Sequence, residues 1–326
     1  MFLPEHLHRI AVVGVGCCGH NTIDYIKKEL DDDVHLFVFD TDSRGLESDE
    51  RVTRMAIGQQ VTDGRSAGAI PSVGEKAAHA SFDEIKQHLT GYDMIFIAGG
   101  LGGGTATGVI PVLTKMLSEQ ECLCVTIVTT PFGFEGKKKQ FFAEEAITKI
   151  NATSDSCVTV SNQKLLHTMP KSSTLIEAFE SSNQVLKRSL LGIYSLISTT
   201  GYINLDFADV RTVISGAGAT VIGYGQGVGE YRIKQAVETA LINPLLEDYD
   251  LEKAKAVLIN ITADHSLRLD EIHLAGELLT EQVESEIPII IGTVISDVPQ
   301  DDIKIYAIFS GVEKKVSNLL KLKGIE

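Results

Sequence analysis

Six of the ten residues from Gly99 to Gly108 are glycine, and they lie between two apolar stretches. Met94 to Ala98 reads as a short buried strand, and Val109 to Leu117 has the character of a helix. A strand that empties through glycines into a helix builds an anion site. Without Cβ atoms the backbone N–H groups can crowd a phosphate, and the helix N-terminus adds partial positive charge. Thr105 and Thr107 add hydroxyl donors. A merely flexible turn would not need so many glycines.

A second loop repeats the pattern near the start of the chain. Arg9 to Val15 is an apolar strand, followed by Gly14-Val15-Gly16-Cys17-Cys18-Gly19 and a helical stretch from Asn21 to Leu30. This spells G-x-G-x-x-G between strand and helix, the dinucleotide fingerprint. Asp40 closes the next strand, Val34 to Phe39, where a ribose-binding acid of such a site would stand. An oxidoreductase that binds NAD is therefore one reading. It leaves the loop at Gly102–Gly108 without a purpose. No G-x-x-x-x-G-K-[ST] loop occurs. Phosphates would be held by backbone dipoles, hydroxyls and a metal ion rather than by a loop lysine.

Gly102-Gly103-Gly104-Thr105-Ala106-Thr107-Gly108 resembles the tubulin/FtsZ signature G-G-G-T-G-[TS]-G, with Ala106 replacing one glycine. The resemblance runs from about Arg9 to Gly311. It includes Pro131-Phe132-Gly133-Phe134-Glu135-Gly136-Lys137-Lys138, Ser161-Asn162-Gln163-Lys164-Leu165-Leu166 and Asn204-Leu205-Asp206-Phe207-Ala208-Asp209-Val210-Arg211. Pro244–Asp248 and Asn260–Ala263 add to it. These segments are closer to FtsZ, the prokaryotic cell-division GTPase family, than to eukaryotic tubulin.

The resemblance implies a GTPase that stacks head to tail into filaments and binds GTP or GDP, with Mg2+ accompanying GTP. Gly16, Cys17, Cys18 and Asn21 would serve the first phosphate loop, with Asp42 beyond the second strand. Ala67, Gly68 and Ala69 belong to a loop that senses the terminal phosphate. Pro131 opens the segment containing Glu135, which matches the ribose-binding acid. Lys139 stands where an arginine is usual, giving a point charge in place of a planar fork. Phe179 would stack on guanine, and Asn183 and Asn162 would bond its edge. Other departures are Ile70 and Ser72, where FtsZ commonly has Asn and Glu, and Cys17 and Cys18 in place of glycines. They motivate an alternative: a filament or regulatory protein that binds GTP and hydrolyses it poorly.

The organisation agrees with this. Strand–helix alternation predicts an α/β fold: a Rossmann-like parallel sheet over residues 1–172, a central helix over 173–199, a second α/β domain over 200–312 and a short terminal helix or tail over 313–326. Further strands are expected at Leu123–Thr129, Ser156–Val160, Ala219–Tyr224, Ala256–Thr262, Ile287–Val294 and Lys304–Phe309. Thr41 to Val73 shows little periodicity, and a long ordered loop of this kind is usually functional. In the central helix Phe179, Asn183 and Leu186 share one face, so a polar amide lies on an apolar stripe and needs a partner. Asp206 and Asp209 open the second domain. Their spacing alone reads as an N-cap and a first-turn acid; the resemblance instead makes them the catalytic pair that orients water at the neighbouring subunit's nucleotide. Arg211 is expected to pair with one of them.

The chain of 326 residues carries a formal charge of −15, which argues against nucleic acid as a partner. No apolar run is long enough for a membrane span, and no secretory signal opens the chain. A cytoplasmic location is expected. Cys122, Cys124 and Cys157 read as core residues, and neither cysteines nor histidines suggest a metal site. Lys314, Lys315, Lys321 and Lys323 surround Val316, Leu319 and Leu320 near Glu326. FtsZ proteins usually continue into a linker and a peptide that binds membrane anchors; this sequence is expected to lack such anchors as partners, to insert in no membrane, and to polymerise with itself or copolymerise with another FtsZ-type protein.

Overall fold

The computed structural model of the protein describes residues 8–198, 206–243, 245–246, 248–284, 286–296 and 302–315. The chain divides into two compact units. The first comprises residues 1–191 and 214–218, and the second comprises 192–213 and 219–326. The division falls inside one long helix.

In the first unit six strands form a parallel sheet: β1 (Ile10–Val15), β2 (His35–Asp40), β3 (Val52–Ala56), β4 (Met94–Gly100), β5 (Leu123–Thr130) and β6 (Ser156–Ser161). Their order is β6-β5-β4-β1-β2-β3. Ala11, Val12, Val13 and Val15 of β1 and Ile95, Phe96 and Ile97 of β4 are wholly buried. Such continuous apolar runs suit strands covered on both faces. The helices are α1 (Gly16–Ile26), α2 (Gln59–Thr62), α3 (Pro71–Ala80), α4 (Phe82–His88), α5 (Thr105–Leu117), α6 (Lys137–Asn151), α7 (Asn162–Thr168) and α8 (Leu175–Ser198).

Two sequence expectations change here. The first helix begins at Gly16, not Asn21, so the dinucleotide-like loop is itself the first turn of α1. The aperiodic stretch after Thr41 contains β3, the edge strand of this sheet, with Val52 and Met55 buried and Thr53 exposed. Cys122, Cys124 and Cys157 are buried as expected, and burial pushes the Cys124 and Cys157 thiols up to about 12.

The second unit begins within α8 and continues with α9 (Phe207–Ile214), whose last residue returns to the first unit. Then come β7 (Gly218–Val228), α10 (Arg232–Leu241), β8 (Tyr249–Asp250), β9 (Ala256–Asp264), α11 (Leu269–Thr280), β10 (Ile289–Ser296), β11 (Asp302–Ser310) and β12 (Glu313–Lys314). Its sheet runs β10-β9-β11-β7, with β10 parallel and β11 antiparallel to β9. Of the expected short terminal helix or tail over 313–326, Glu313–Lys314 forms a short strand paired with β8. Residues 316–326 and Asn204–Leu205 lie outside the described residues. No described helix is long and apolar enough to cross a membrane.

A buried ion pair ties α10 to α11. Arg232 donates Nε–H and Nη2–H to the two Glu271 carboxylate oxygens at 2.8 and 3.0 Å. Burial alone would raise the Glu271 carboxyl, but these bonds hold it below its ordinary value. The stabilisation is therefore present above the unfolded carboxylate pKa and is lost as pH falls through the lowered one. Arg232→Met leaves Glu271 buried without its cationic partner, although the Arg268 N–H still donates to it at 3.0 Å. Urea denaturation is expected to show a loss of about 3 kcal/mol, since breaking a buried pair from one side costs about 3–5. A change within error would contradict this role.

Candidate functional site

β1 and β4 are neighbours at the middle of the first sheet, with Val15 opposite Gly99. From this pair the chain proceeds to β2 and β3 on one side and to β5 and β6 on the other. Ligands of open α/β sheets bind at such a switch point, beyond the carboxyl ends of the strands. Both glycine loops leave the sheet there. Gly16, Cys17 and Cys18 form the first turn of α1, and Asn21 lies on its exposed side.

α5 begins at Thr105 with Gly104 before it, no side-chain cap and no acidic residue in its first turn. The first N–H groups of a helix have no intrahelical partner, so Thr105, Ala106 and Thr107 present the positive end of a 13-residue helix. Gly102 has φ +99°, a conformation that side-chain-bearing residues rarely adopt, and its N–H donates to Thr107 Oγ1 at 2.9 Å. Gly103 has open space where a Cβ would be.

The loop is gripped from one side by α3. A Cβ on Gly108 would lie 2.1 Å from the Pro71 carbonyl oxygen, and one on Gly74 would lie 2.3 Å from the Gly104 oxygen. Backbone thus rests on backbone. Just before α3, Gly68 and Ala69 are both left-handed, at φ +63° and +56°, and Ile70 N–H donates to Ala67 C=O at 3.1 Å. Two successive left-handed residues make the tight turn that glycine favours, and Ala69 carries the strain of a Cβ there.

Thr105 and Thr107 were expected chiefly as phosphate donors, yet both hydroxyls also hold the loop. Thr105 Oγ1 lies 2.8 Å from Thr41 Oγ1 and 3.4 Å from Asp40 Oδ1, and Thr41 Oγ1 accepts from Ala67 N–H at 3.2 Å. Asp40 also accepts from Asp42 N–H at 3.2 Å, so it serves the loop rather than standing free for a ribose. Sequence reasoning missed Thr41, which carries no motif. It also missed Arg44, whose guanidinium grips Asp42 at 2.9 and 2.7 Å and, with the Arg44 N–H, lowers the Asp42 carboxyl to about 2.

The other end of the site lies between the segment after β5, α7 and α8. Pro131 follows β5, and its ring would meet a Cβ on Gly102 at 2.4 Å. Glu135 accepts from Phe132 N–H at 2.9 Å and from Lys139 Nζ at 2.9 Å. Phe179 is partly exposed and packs edge-on against Phe132, with ring centres 5.2 Å apart. Asn162 is buried and accepts from Ser182 Oγ at 2.7 Å. Asn183 accepts from the Cys18 thiol at 3.9 Å, which links α8 to the first loop. Lys187, one turn further along α8, pairs with Glu29. Phe179, Ser182 and Asn183 therefore share the helix face that sequence spacing assigned to Phe179 and Asn183.

Asp206 and Asp209 belong to the second unit. Asp206 N–H donates to Asp209 Oδ2 at 3.1 Å, Asp209 N–H donates to the Asp206 carbonyl at 2.9 Å, and Ala208 N–H donates to Asp206 Oδ1 at 3.4 Å. The pair closes the start of α9, as spacing alone suggested. Arg211 does not pair with either acid; its guanidinium lies over the Phe207 ring, 5.4 Å from its centre.

Comparison with known proteins agrees with this geometry. The Tubulin/FtsZ family GTPase-domain model matches residues 9–170, and the FtsZ family C-terminal-domain model matches residues 218–313. Cell division protein FtsZ of Wigglesworthia glossinidia brevipalpis is 39% identical over 315 residues, covering 96% of this chain and 82% of the relative. That of Coxiella burnetii is 40% identical over 304 residues, covering 93% and 79%. The chain belongs to the FtsZ family. Its GTPase domain binds guanine nucleotide and hydrolyses GTP, and NAD chemistry is set aside. Among solved structures, an FtsZ dimer from M. jannaschii superposes with a TM-score of 0.87 at 32% identity, covering 98% of this chain and 95% of that one. CetZ2 from Haloferax volcanii, solved as a GTPγS-bound protofilament, gives 0.79 at 18% identity, over 97% and 96%, and shares the fold.

The α3–α5 contact yields a test. Gly108→Ala must push Pro71 and Glu75 away from the loop. The expected cost is about 1–3 kcal/mol of stability by urea titration, with at least about a tenfold loss of GTP affinity. Unchanged affinity would show that the loop's position does not govern binding.

Proposed function

We propose that this FtsZ-family chain holds GTP wholly within its first unit and completes hydrolysis with Asp206 and Asp209 of a second copy stacked head to tail. The observation that carries this is a division of labour along the chain. The two glycine loops, the Glu135–Lys139 pair and the Phe179–Asn183 face belong to the first unit, and the two acids open α9 in the second. The likeness to an FtsZ dimer supports association between copies. A heterologous contact of this kind does not close on itself, so it propagates as a filament.

In this reading the amides of Gly103 to Thr107 face the phosphates, Glu135 takes the ribose, and Phe179, Asn162 and Asn183 take the base. Asn21, Asp42 and Ala67 to Ala69 complete the phosphate end. Mg2+ would arrive on the nucleotide. No described group of three His, Cys, Asp or Glu side chains is arranged to hold a metal, and Mg2+ at phosphates typically needs few protein ligands. It neutralises charge on the phosphates when bound. The carboxylates of Asp206 and Asp209, fixed against each other at the start of α9, would orient the attacking water only where an interface forms. The polymer, alone or copolymerised with another FtsZ-type protein, would work in the cytoplasm without inserting in a membrane.

Mixing two inactive variants tests the division of labour. Asp209→Ala keeps an intact pocket, and Gly108→Ala keeps intact acids. Each alone is expected to turn over GTP at least about a hundredfold more slowly than the parent. Together they are expected to recover a measurable fraction of its phosphate release, because one interface type pairs intact pocket with intact acids. A mixture no faster than the sum of its parts would contradict hydrolysis between subunits.

A further inference from the structure

The base end contains two carboxamides whose oxygens are both engaged by side chains of this chain. Asn162 Oδ1 accepts from Ser182 Oγ at 2.7 Å, and both residues are almost fully buried, 5% and 2% exposed. Asn183 Oδ1 accepts from Cys18 Sγ at 3.9 Å. Neither carboxamide has another side-chain partner among the described residues. Serine and thiol are donors here, so each fixes a carboxamide by its oxygen and leaves the NH2 end for something else. The Cys18 thiol stays protonated, since burial pushes it up to about 11. A hydroxyl on the face of α8 that carries Phe179 is otherwise unexplained: nothing in the packing of an apolar stripe asks for Ser182.

We infer that Ser182, seconded by Cys18, is a positioning residue for base choice, holding Asn162 and Asn183 with their NH2 groups toward the bound base so that the pair reads acceptor atoms. Guanine offers O6 as an acceptor; adenine offers a donating amino group at the same place, and donor would meet donor. A buried amide held in one orientation disfavours the wrong base, because a flip would turn the Ser182 hydroxyl from donor to acceptor and take from its buried O–H the acceptor it has in Asn162 Oδ1. Without the hydroxyl, Asn162 is free to turn its oxygen forward and accept adenine's amino group. The inference rests on the proposal that Asn162 and Asn183 face the base.

The test is competition binding of GTP, ITP and ATP to the parent, Ser182→Ala, Ser182→Thr and Cys18→Ala. ITP keeps O6 and lacks guanine's 2-amino group. For Ser182→Ala, GTP and ITP are expected to weaken together by about tenfold while ATP is unchanged or tighter, so that the GTP-to-ATP ratio falls by at least that factor. Ser182→Thr restores the hydroxyl and is expected to keep the parental ratio. Cys18→Ala is expected to lower the ratio by about threefold, as the thiol is the weaker donor. A merely structural role would weaken all three nucleotides alike. Equal losses for GTP, ITP and ATP in Ser182→Ala, or an unchanged ratio, would overturn this inference while leaving the site where it is. A parent that does not prefer GTP to ATP would overturn the base-edge reading itself, and the inference with it.

Discussion

Backbone pressed on backbone is the constraint on which the rest of this molecule depends. The loop proposed to hold the phosphates has no lysine, so in that role only amide dipoles and hydroxyls would hold several negative charges. Those amides must be aimed before the ligand arrives, because ordering them on binding would cost about 1–2 kcal/mol per residue. Gly74 against the Gly104 carbonyl and Gly108 against the Pro71 carbonyl bring α3 and α5 closer than any side chain would permit. The Thr41–Thr105 contact and the Ala67 amide on Thr41 then link the end of β2 to the same loop. The loop that looks floppiest by composition is thus among the most confined parts of the chain.

The same economy extends to the segment after β5, α7 and α8, where positions that look like departures from the family take on jobs. Cys18 stands where a glycine is common, and its thiol reaches Asn183 on α8. Lys139 replaces an arginine, and its ammonium sits on Glu135 rather than free in the site. Ile70 remains without such a contact; it is 49% exposed at the start of α3, and its side chain is apolar.

Much of this was legible in the sequence because the signals were local. Strand, glycines and helix at Met94–Leu117 follow from backbone sterics alone, and the Phe179–Asn183 face follows from helical period. β3 was hidden because its five residues, buried at Val52 and Met55 and exposed or half-buried between them, carry no period-2 pattern that would stand out between turns. The start of α1 at Gly16 is not legible in the sequence, because glycines and cysteines are weak helix formers and the turn they occupy is set by the sheet behind it. Thr41, Arg44 and Ser182 were invisible for a different reason. Each acts through a partner 2 to 64 residues away, and single hydroxyls or an Asp–Arg pair carry no periodicity. Asp206 and Asp209 had two readings. The structure realises the helix cap, and a cap leaves carboxylate lone pairs that a second copy could use.

The central claim is that one copy of this chain holds GTP and a second copy supplies the acids that hydrolyse it. The most direct measurement is phosphate release per subunit across a dilution series at saturating GTP. The account predicts a specific rate near zero in dilute protein that climbs above a threshold concentration and then levels, with GTP bound equally well on both sides of the threshold. A specific rate that stays constant down to the dilute monomer would contradict it.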